Sequence, residues 1–175
     1  MTKIEIDNCL AKIQQGDEAA FDELYEATKK AVFSFLYTYT NDYARTEDLM
    51  QDTYIRIRHN ISKYKLGSNA LAWIFTIAKN IALNDIKREN RSVPFDFAER
   101  EDILGGYDEE YDTPIMDATR KCLDDDERRI VLLHAVSDYK HKEIASIMEL
   151  PLGTVLWKYN KAIKKLKEYL EKEER

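Results

Sequence analysis

The sequence predicts an all-α protein, two small helical domains joined by an acidic flexible linker. Three observations carry that prediction. Glycine and proline are scarce, at 5 and 3 in 175 residues, and Leu, Ile, Ala, Lys and Glu are plentiful, which favours helices over a sheet. Apolar residues recur at steps of three and four through several long segments. Between those segments, residues 92–116 hold two of the three prolines and a Gly-Gly pair without any sustained period, as a linker does. The expected division is therefore a domain at 1–91, a linker at 92–116 and a domain at 117–175.

The elements follow in order. Gly16-Asp17 opens the first long helical pattern, with Asp17 placed as the N-cap. Phe21, Leu24, Tyr25, Thr28, Val32, Phe35, Leu36 and Tyr39 then define one buried face, and Asn41-Asp42 breaks it. A second helix is expected over about 46–59, with Leu49, Met50, Thr53 and Ile57 inward. Ser62 to Asn69 reads as a basic loop containing Lys63 and Lys65. A third helix is expected over about 70–90, with Leu71, Ile74, Ala78 and Ile81 on its apolar side. Its other side places Thr76, Asn80, Asn84 and Arg88 at steps of four, flanked by Lys79 and Lys87. A stripe of amides and a hydroxyl between cations suits bases flanked by phosphates, although any surface helix needs a polar face.

Helical signal returns near Met116. Ile130, Val131, Leu133 and His134 mark one segment, and Lys142 to Met148 a short second one. Glu149-Leu150-Pro151 makes a tight connection to a third, over about 152–171, with Val155, Tyr159, Ile163, Leu166 and Leu170 inward. Lys158, Lys161 and Lys165, with Lys164 beside them, are expected on its outer face. A short helix, a tight turn and a longer basic helix make a helix-turn-helix, unless they form an amphipathic hairpin with no DNA role.

The net charge of −6 conceals an uneven distribution. Residues 1–95 carry 13 basic and 13 acidic side chains, 96–127 carry 3 and 13, and 128–175 carry 11 and 7. Within the first block, residues 55–91 hold 8 basic against 2 acidic. Two basic regions separated by an acidic stretch are what phosphate neutralisation would use.

Both halves resemble one family, the extracytoplasmic-function (ECF) RNA polymerase sigma factors, over about residues 10–90 and 117–170. Gly16 to Tyr25 (GDEAAFDELY) looks like the opening of the family's region two, and Glu47 to Tyr54 (EDLMQDTY) is similar to its polymerase-binding helix. Ala72-Trp73-Ile74-Phe75 and Ile77-Ala78-Lys79-Asn80, with Asp85 and Arg88, resemble its promoter-melting helix. Glu143-Ile144-Ala145, Gly153-Thr154-Val155 and Lys161-Ala162 look like its region-four helix-turn-helix.

That resemblance implies core RNA polymerase and promoter DNA, both duplex and non-template single strand, as partners. Asp48, Gln51 and Asp52 would face the clamp helices of the polymerase's largest subunit. Loop 62–69 would help capture a flipped base. Lys63, Lys65, Asn69, Thr76, Lys79, Asn80, Asn84, Lys87 and Arg88 would then form the minus-ten surface. Lys142, Thr154, Trp157, Lys158, Lys161 and Lys165 would form the minus-thirty-five surface. The acidic linker would thread toward the polymerase's RNA path. Family members are commonly held by a dedicated anti-sigma protein, a further expected partner.

Several positions depart from the family pattern. Ala70 and Leu71 stand where an aromatic and an Arg are usual, Glu149 where the turn Gly is usual, and Pro151 where a Ser opens the helix. Leu156-Trp157-Lys158 replaces Lys-Ser-Arg, removing a bidentate guanine reader. Trp157 is left with two roles, contacting DNA or packing internally. Trp73 is expected to be half-buried core.

No catalytic pattern appears among His59, His134 and His141, and no P-loop or GxSxG is present, so no enzyme activity, cofactor or metal is expected. Asp124-Asp125-Asp126 reads as helix capping. Cys9 and Cys122 read as reduced, incidental thiols. The N-terminus lacks a signal peptide's apolar centre and no apolar run reaches membrane length, so the protein is expected in the cytoplasm without membrane insertion. Two other classes fit part of the pattern: a helix-turn-helix regulator that binds duplex DNA unaided, and a degenerate sigma-like interaction module.

Overall fold

Asp17, Asp42 and Asp124 each cap the start of a helix and so set corners in the path of the chain. The computed structural model describes residues 3–92 and 114–173, and every regular element among them is helical. The chain divides into two compact units, Met1–Gly106 and Tyr107–Arg175. The acidic stretch expected to thread toward an RNA path lies outside the described residues for 93–113.

The first unit begins with a helix that the sequence reading had not assigned, α1 (Lys3–Gln14). Ile6, Cys9 and Leu10 are buried at i, i+3 and i+4, so the signal was present in a segment read only for targeting. Gly16, at φ +90°, ends the helix. The Asp17 N–H returns to the Lys12 carbonyl at 3.1 Å, and only glycine takes such a φ without strain. Asp17 then accepts from the Ala20 N–H at 3.2 Å and starts α2 (Glu18–Thr40).

Helix α2 forms the centre of the unit and packs against α1, α3 (Tyr43–Asn60) and α4 (Ala70–Ser92). Its expected face is buried at Leu24, Thr28, Val32, Phe35 and Leu36, and burial extends all round from Ala31 to Leu36. Buried hydroxyls are satisfied locally: Thr28 donates to the Leu24 carbonyl at 2.6 Å and lies 2.8 Å from the Tyr54 hydroxyl. Helix α3 starts three residues before the expected Thr46 because Asp42 is its N-cap, accepting from the Arg45 N–H at 2.9 Å. Leu49, Met50, Thr53 and Ile57 face inward as expected. In α4, Leu71, Ile74, Phe75, Ala78 and Ala82 are buried and Ile81 is half-buried.

The loop before α4 is tied to α1. Tyr64 is 4% exposed, and its hydroxyl donates to Asp7 Oδ1 at 2.5 Å. The Gly67 N–H donates to the same carboxylate, 3.1 Å from Oδ2. Gln14 Nε2 donates to the Ile61 and Tyr64 carbonyls, both at 2.8 Å. Burial, followed by the Asp7 hydrogen bond, pushes the Tyr64 hydroxyl up to about 12. Trp73 packs on Tyr64 with ring centroids 5.0 Å apart and is half-buried, as expected.

The second unit is built from α5 (Pro114–Cys122), α6 (Asp125–Ala135), α7 (His141–Met148) and α8 (Leu152–Glu173). Pro114 opens α5 at the position where its missing N–H costs nothing, so the last three residues of the expected linker are helical. Asp124 and Glu127 form a capping box on α6, with bonds of 2.9 and 3.2 Å. Glu149 ends α7 in the left-handed region at φ 57°, standing where the resemblance expects glycine. Ala118, Val131, Ala162 and Leu166 form a core cluster, with Tyr159, Ile163 and Tyr169 packed against it. Leu170, expected inward, is half exposed, because the seam of α8 closes on Tyr169 instead.

The Asp7 carboxylate is the shared acceptor for the loop, so Asp7→Ala should destabilise the first unit by about 1–2 kcal/mol. The checks are the urea midpoint and faster hydrogen exchange at the Gly67 amide.

Candidate nucleic-acid and polymerase interface

Helices α3 and α4 are joined by a partly buried ion network. Asp85 on α4 is 9% exposed. Arg45 of α3 reaches it with Nε and Nη2, each 2.6 Å from Oδ2. Arg45 Nη2 also lies 2.7 Å from Glu89 Oε2, and Arg88 Nη2 lies 2.9 Å from Asp85 Oδ1. Removing one partner from such a network leaves the other charge poorly solvated, so the network fixes the spacing of the two helices.

That spacing opens a cleft of about 600 Å³ lined by Arg45, Asp48, Gln51, Asp52, Asp85 and Arg88 among others. Asp48, Gln51 and Asp52 are exposed on α3. The cleft therefore joins the acidic set on α3 to the last member of the polar stripe on α4.

The rest of the stripe runs along α4. Asn80, Asn84 and Lys87 are exposed and Lys79 is half-buried. Thr76 is exposed but its hydroxyl donates to the Ala72 carbonyl at 2.7 Å. Arg88 keeps 81% of its side chain exposed despite its bond to Asp85. Of the segment expected as a loop from Ser62, the first residues form a 3-10 turn (Ile61–Lys63); Lys63 at its end and Lys65 beyond it are exposed. Asn69 has a structural task, accepting from the Ala72 N–H at 3.2 Å at the start of α4.

In the second unit the expected outer row of lysines is not outermost. Lys158 Nζ lies 3.0 Å from Asp126 Oδ2. Glu127, 0% exposed, takes Lys165 at 2.6 Å on Oε2 and Lys161 at 3.0 Å on Oε1, the second as an ion pair without hydrogen-bond geometry. Burial raises the Glu127 carboxyl, but the Lys165 hydrogen bond, the Lys161 ammonium beside it and the Asp124 N–H outweigh that and hold the group at about 2. The bonds to Asp126 and Glu127 raise Lys158 and Lys165 in turn. A buried carboxylate needs counter-charges, and α8 supplies them with Lys161 and Lys165, while Lys158 pairs with Asp126 at the surface. The capping reading of the acidic cluster is correct, but it missed this second role. No spacing within α6 or α8 signalled it, because it depends on how the two helices cross.

Leu152, Leu156, Trp157 and Asn160 are exposed at the start of α8, with Lys161 and Lys164 exposed further along it. Trp157 thus does not pack internally. Thr154 is half-buried and Lys142, on α7, is exposed. His134 and His141 meet at 4.4 Å between ring centroids with Tyr159 edge-on to both. Burial, then His134, lowers His141. The two cysteines lie in separate units, and burial raises both thiols, which disfavours the reactive thiolate. No group of three or more His, Cys, Asp or Glu among the described residues could hold a metal ion. No helix among them is long and apolar enough to cross a membrane.

Comparison with known proteins converges on the same two segments. Residues 24–92 match the family model for Sigma-70 region 2, and residues 121–166 match that for Sigma-70 region 4. The ECF RNA polymerase sigma factor EcfG of Rhodopseudomonas palustris is 30% identical over 132 residues, covering 70% of this chain and 69% of its own. The chain belongs to the ECF RNA polymerase sigma factors. It is thus a non-enzymatic transcription initiation factor. The RNA polymerase sigma factor CarQ of Myxococcus xanthus is 27% identical over 92% of this chain and 95% of its own. The fold is shared with the sigma factor RpoE of Bartonella quintana, solved with the anti-sigma factor NepR, at a TM-score of 0.63 and 24% identity. That likeness covers 86% of this chain and 95% of the other.

The Glu127 site gives this sigma factor a specific acid response. Its carboxyl lies below the ordinary value of 4.5, so its stabilisation is complete above about 4.5 and is lost as pH falls toward about 2. Glu127→Gln should cost on the order of 3 kcal/mol at neutral pH. In urea titrations at several pH values, the gap between the two proteins should close across that window.

Proposed function

We propose that this sigma factor docks on core RNA polymerase through Asp48, Gln51 and Asp52 and grips promoter DNA with both units. Residues 1–91 act as the region-two domain and 117–175 as the region-four domain. The observation that carries the proposal is the Arg45–Asp85 network, which holds an acidic docking helix and an amide-and-cation helix on one rigid unit. Exposed carboxylates on α3 complement a basic partner surface.

On α4, Lys79, Asn80, Asn84, Lys87 and Arg88 meet the minus-ten element. Amides hydrogen-bond to unstacked bases while the cations hold phosphates. Lys63, Lys65 and Thr76 extend that surface, and Asn69 shapes the loop in which a flipped base would lodge. The Asp7 tie supports this reading by keeping the loop in place on α1. Melting then needs no chemical step, since the binding energy of an unpaired base offsets its unstacking.

The minus-thirty-five contact falls to the α7–α8 pair, through Lys142, Thr154 and Trp157. Lys158, Lys161 and Lys165 act mainly by setting the tilt of α8 on α6, with their partly exposed heads adding positive potential nearby. An anti-sigma protein is proposed as the resting-state partner, as the Bartonella quintana relative is bound by one.

Multi-round transcription with purified core polymerase on genomic fragments tests the whole reading. Discrete start sites that depend on this protein are expected. Core binding without new transcripts would replace the proposal with an interaction module. Lys79→Ala with Asn80→Ala should reduce promoter opening, read as permanganate reactivity, at least tenfold while leaving core binding intact. Unchanged opening would remove base reading from α4.

A further inference from the structure

The outward face of α8 is apolar at its start, and the proposed function leaves open which bases such a face would read. Leu152, Leu156 and Trp157 are 42%, 41% and 61% exposed, although burying them would be favourable. They sit in the first two turns of the helix, the part of a helix-turn-helix that reaches base edges. Gly153 lies among them, with nothing within 4 Å of where a Cβ would stand. One turn further on, Asn160 is exposed, followed by Lys164.

The cations that could have served this face are committed elsewhere. Lys158 is turned to Asp126 at 3.0 Å. Lys161 lies 3.0 Å from Glu127 and 5.2 Å from the centre of the Trp157 ring. That second contact braces the indole and keeps it on the outer side of the helix. The base-facing turns of α8 thus present apolar carbon and an amide, without a guanidinium fork.

In the major groove, guanine is read by Arg or Lys, adenine by a side-chain amide, and thymine through its C5-methyl group by apolar contact. We infer that α8 reads A·T base pairs in the upstream promoter element, with Leu156 and Trp157 seated on thymine methyl groups and Asn160 on a neighbouring adenine. This rests on the promoter-binding reading above and specifies the sequence that reading left open. Charge favours DNA as the occupant: Lys164 is exposed on the same helix, and Lys140 and Lys142 are exposed at the start of α7, the other helix of the helix-turn-helix, where cations suit phosphates. A patch of three apolar side chains bordered by cations suits a polyanion better than the broad apolar face of a protein partner.

The test uses the full-length protein assembled with core polymerase. Upstream elements are selected from random duplexes, and the winners are remade with deoxyuridine in place of thymidine. That exchange removes only the methyl group and keeps every hydrogen-bonding edge. Wild type should bind the uracil duplex about fourfold more weakly for each contacted thymine. The Leu156→Ser, Trp157→Ala variant changes exposed residues only, so it should keep its fold by circular dichroism. It should bind both duplexes equally and less tightly than wild type. Selection of guanine at the contacted positions, or equal wild-type affinity for thymine and uracil duplexes, would overturn the inference and leave the apolar face to a protein partner. Failure to select any upstream sequence would instead overturn promoter binding by the second unit, and the inference with it.

Discussion

The ion pair between Arg45 and Asp85 is the constraint on which the first unit turns. Helices α3 and α4 are joined by a connection that is itself tied back to α1. Their apolar faces supply most of the adhesion, but apolar contact is non-directional and fixes register loosely. A guanidinium that hydrogen-bonds one buried carboxylate oxygen through Nε and pairs with it through Nη2 is directional, and its geometry fails if either helix slides. Glu89 and Arg88 extend the network onto the surface. The surfaces proposed for polymerase on α3 and for DNA on α4 are therefore presented at a fixed separation.

The second unit solves a related problem at a different site. Three helices shorter than twelve residues, α5, α6 and α7, offer little stability of their own and must be held by α8. Glu127 does this by being both a capping residue and a buried counter-charge. The cost is that lysines which would otherwise face outward are drawn onto α6. The same residues that make the region look basic in sequence are thus partly neutralised in the fold.

Much of this was legible in the sequence. The all-α class, the inward faces of α2 and α3 and the capping by Asp17 and Asp124 follow from local periodicity and local hydrogen bonding. Local rules also contained α1, since Ile6, Cys9 and Leu10 show the helical step, but a terminal segment invites a targeting question before a structural one. What sequence could not settle was orientation between elements. Whether Lys161 points to solvent or to a carboxylate 34 residues earlier depends on how α6 crosses α8, and no spacing within either helix reveals that. Asn69 shows the same limit in miniature: its amide looked like a base reader, yet the α4 N-terminus uses it as a cap.

Departures from a family pattern carry different weight once their surroundings are known. Glu149 takes the left-handed conformation that glycine takes with less strain, so the turn keeps its shape and that substitution changes the local energy more than the function. Leu156 and Trp157 differ in kind. They replace charged or polar residues at positions that the fold leaves exposed, so no internal packing accounts for them. An apolar side chain that is solvated in the free protein and has no core to support is selected, if at all, by what it meets outside. For a helix whose remaining exposed neighbours are an amide and cations, the groove of a DNA duplex meets all three demands at once.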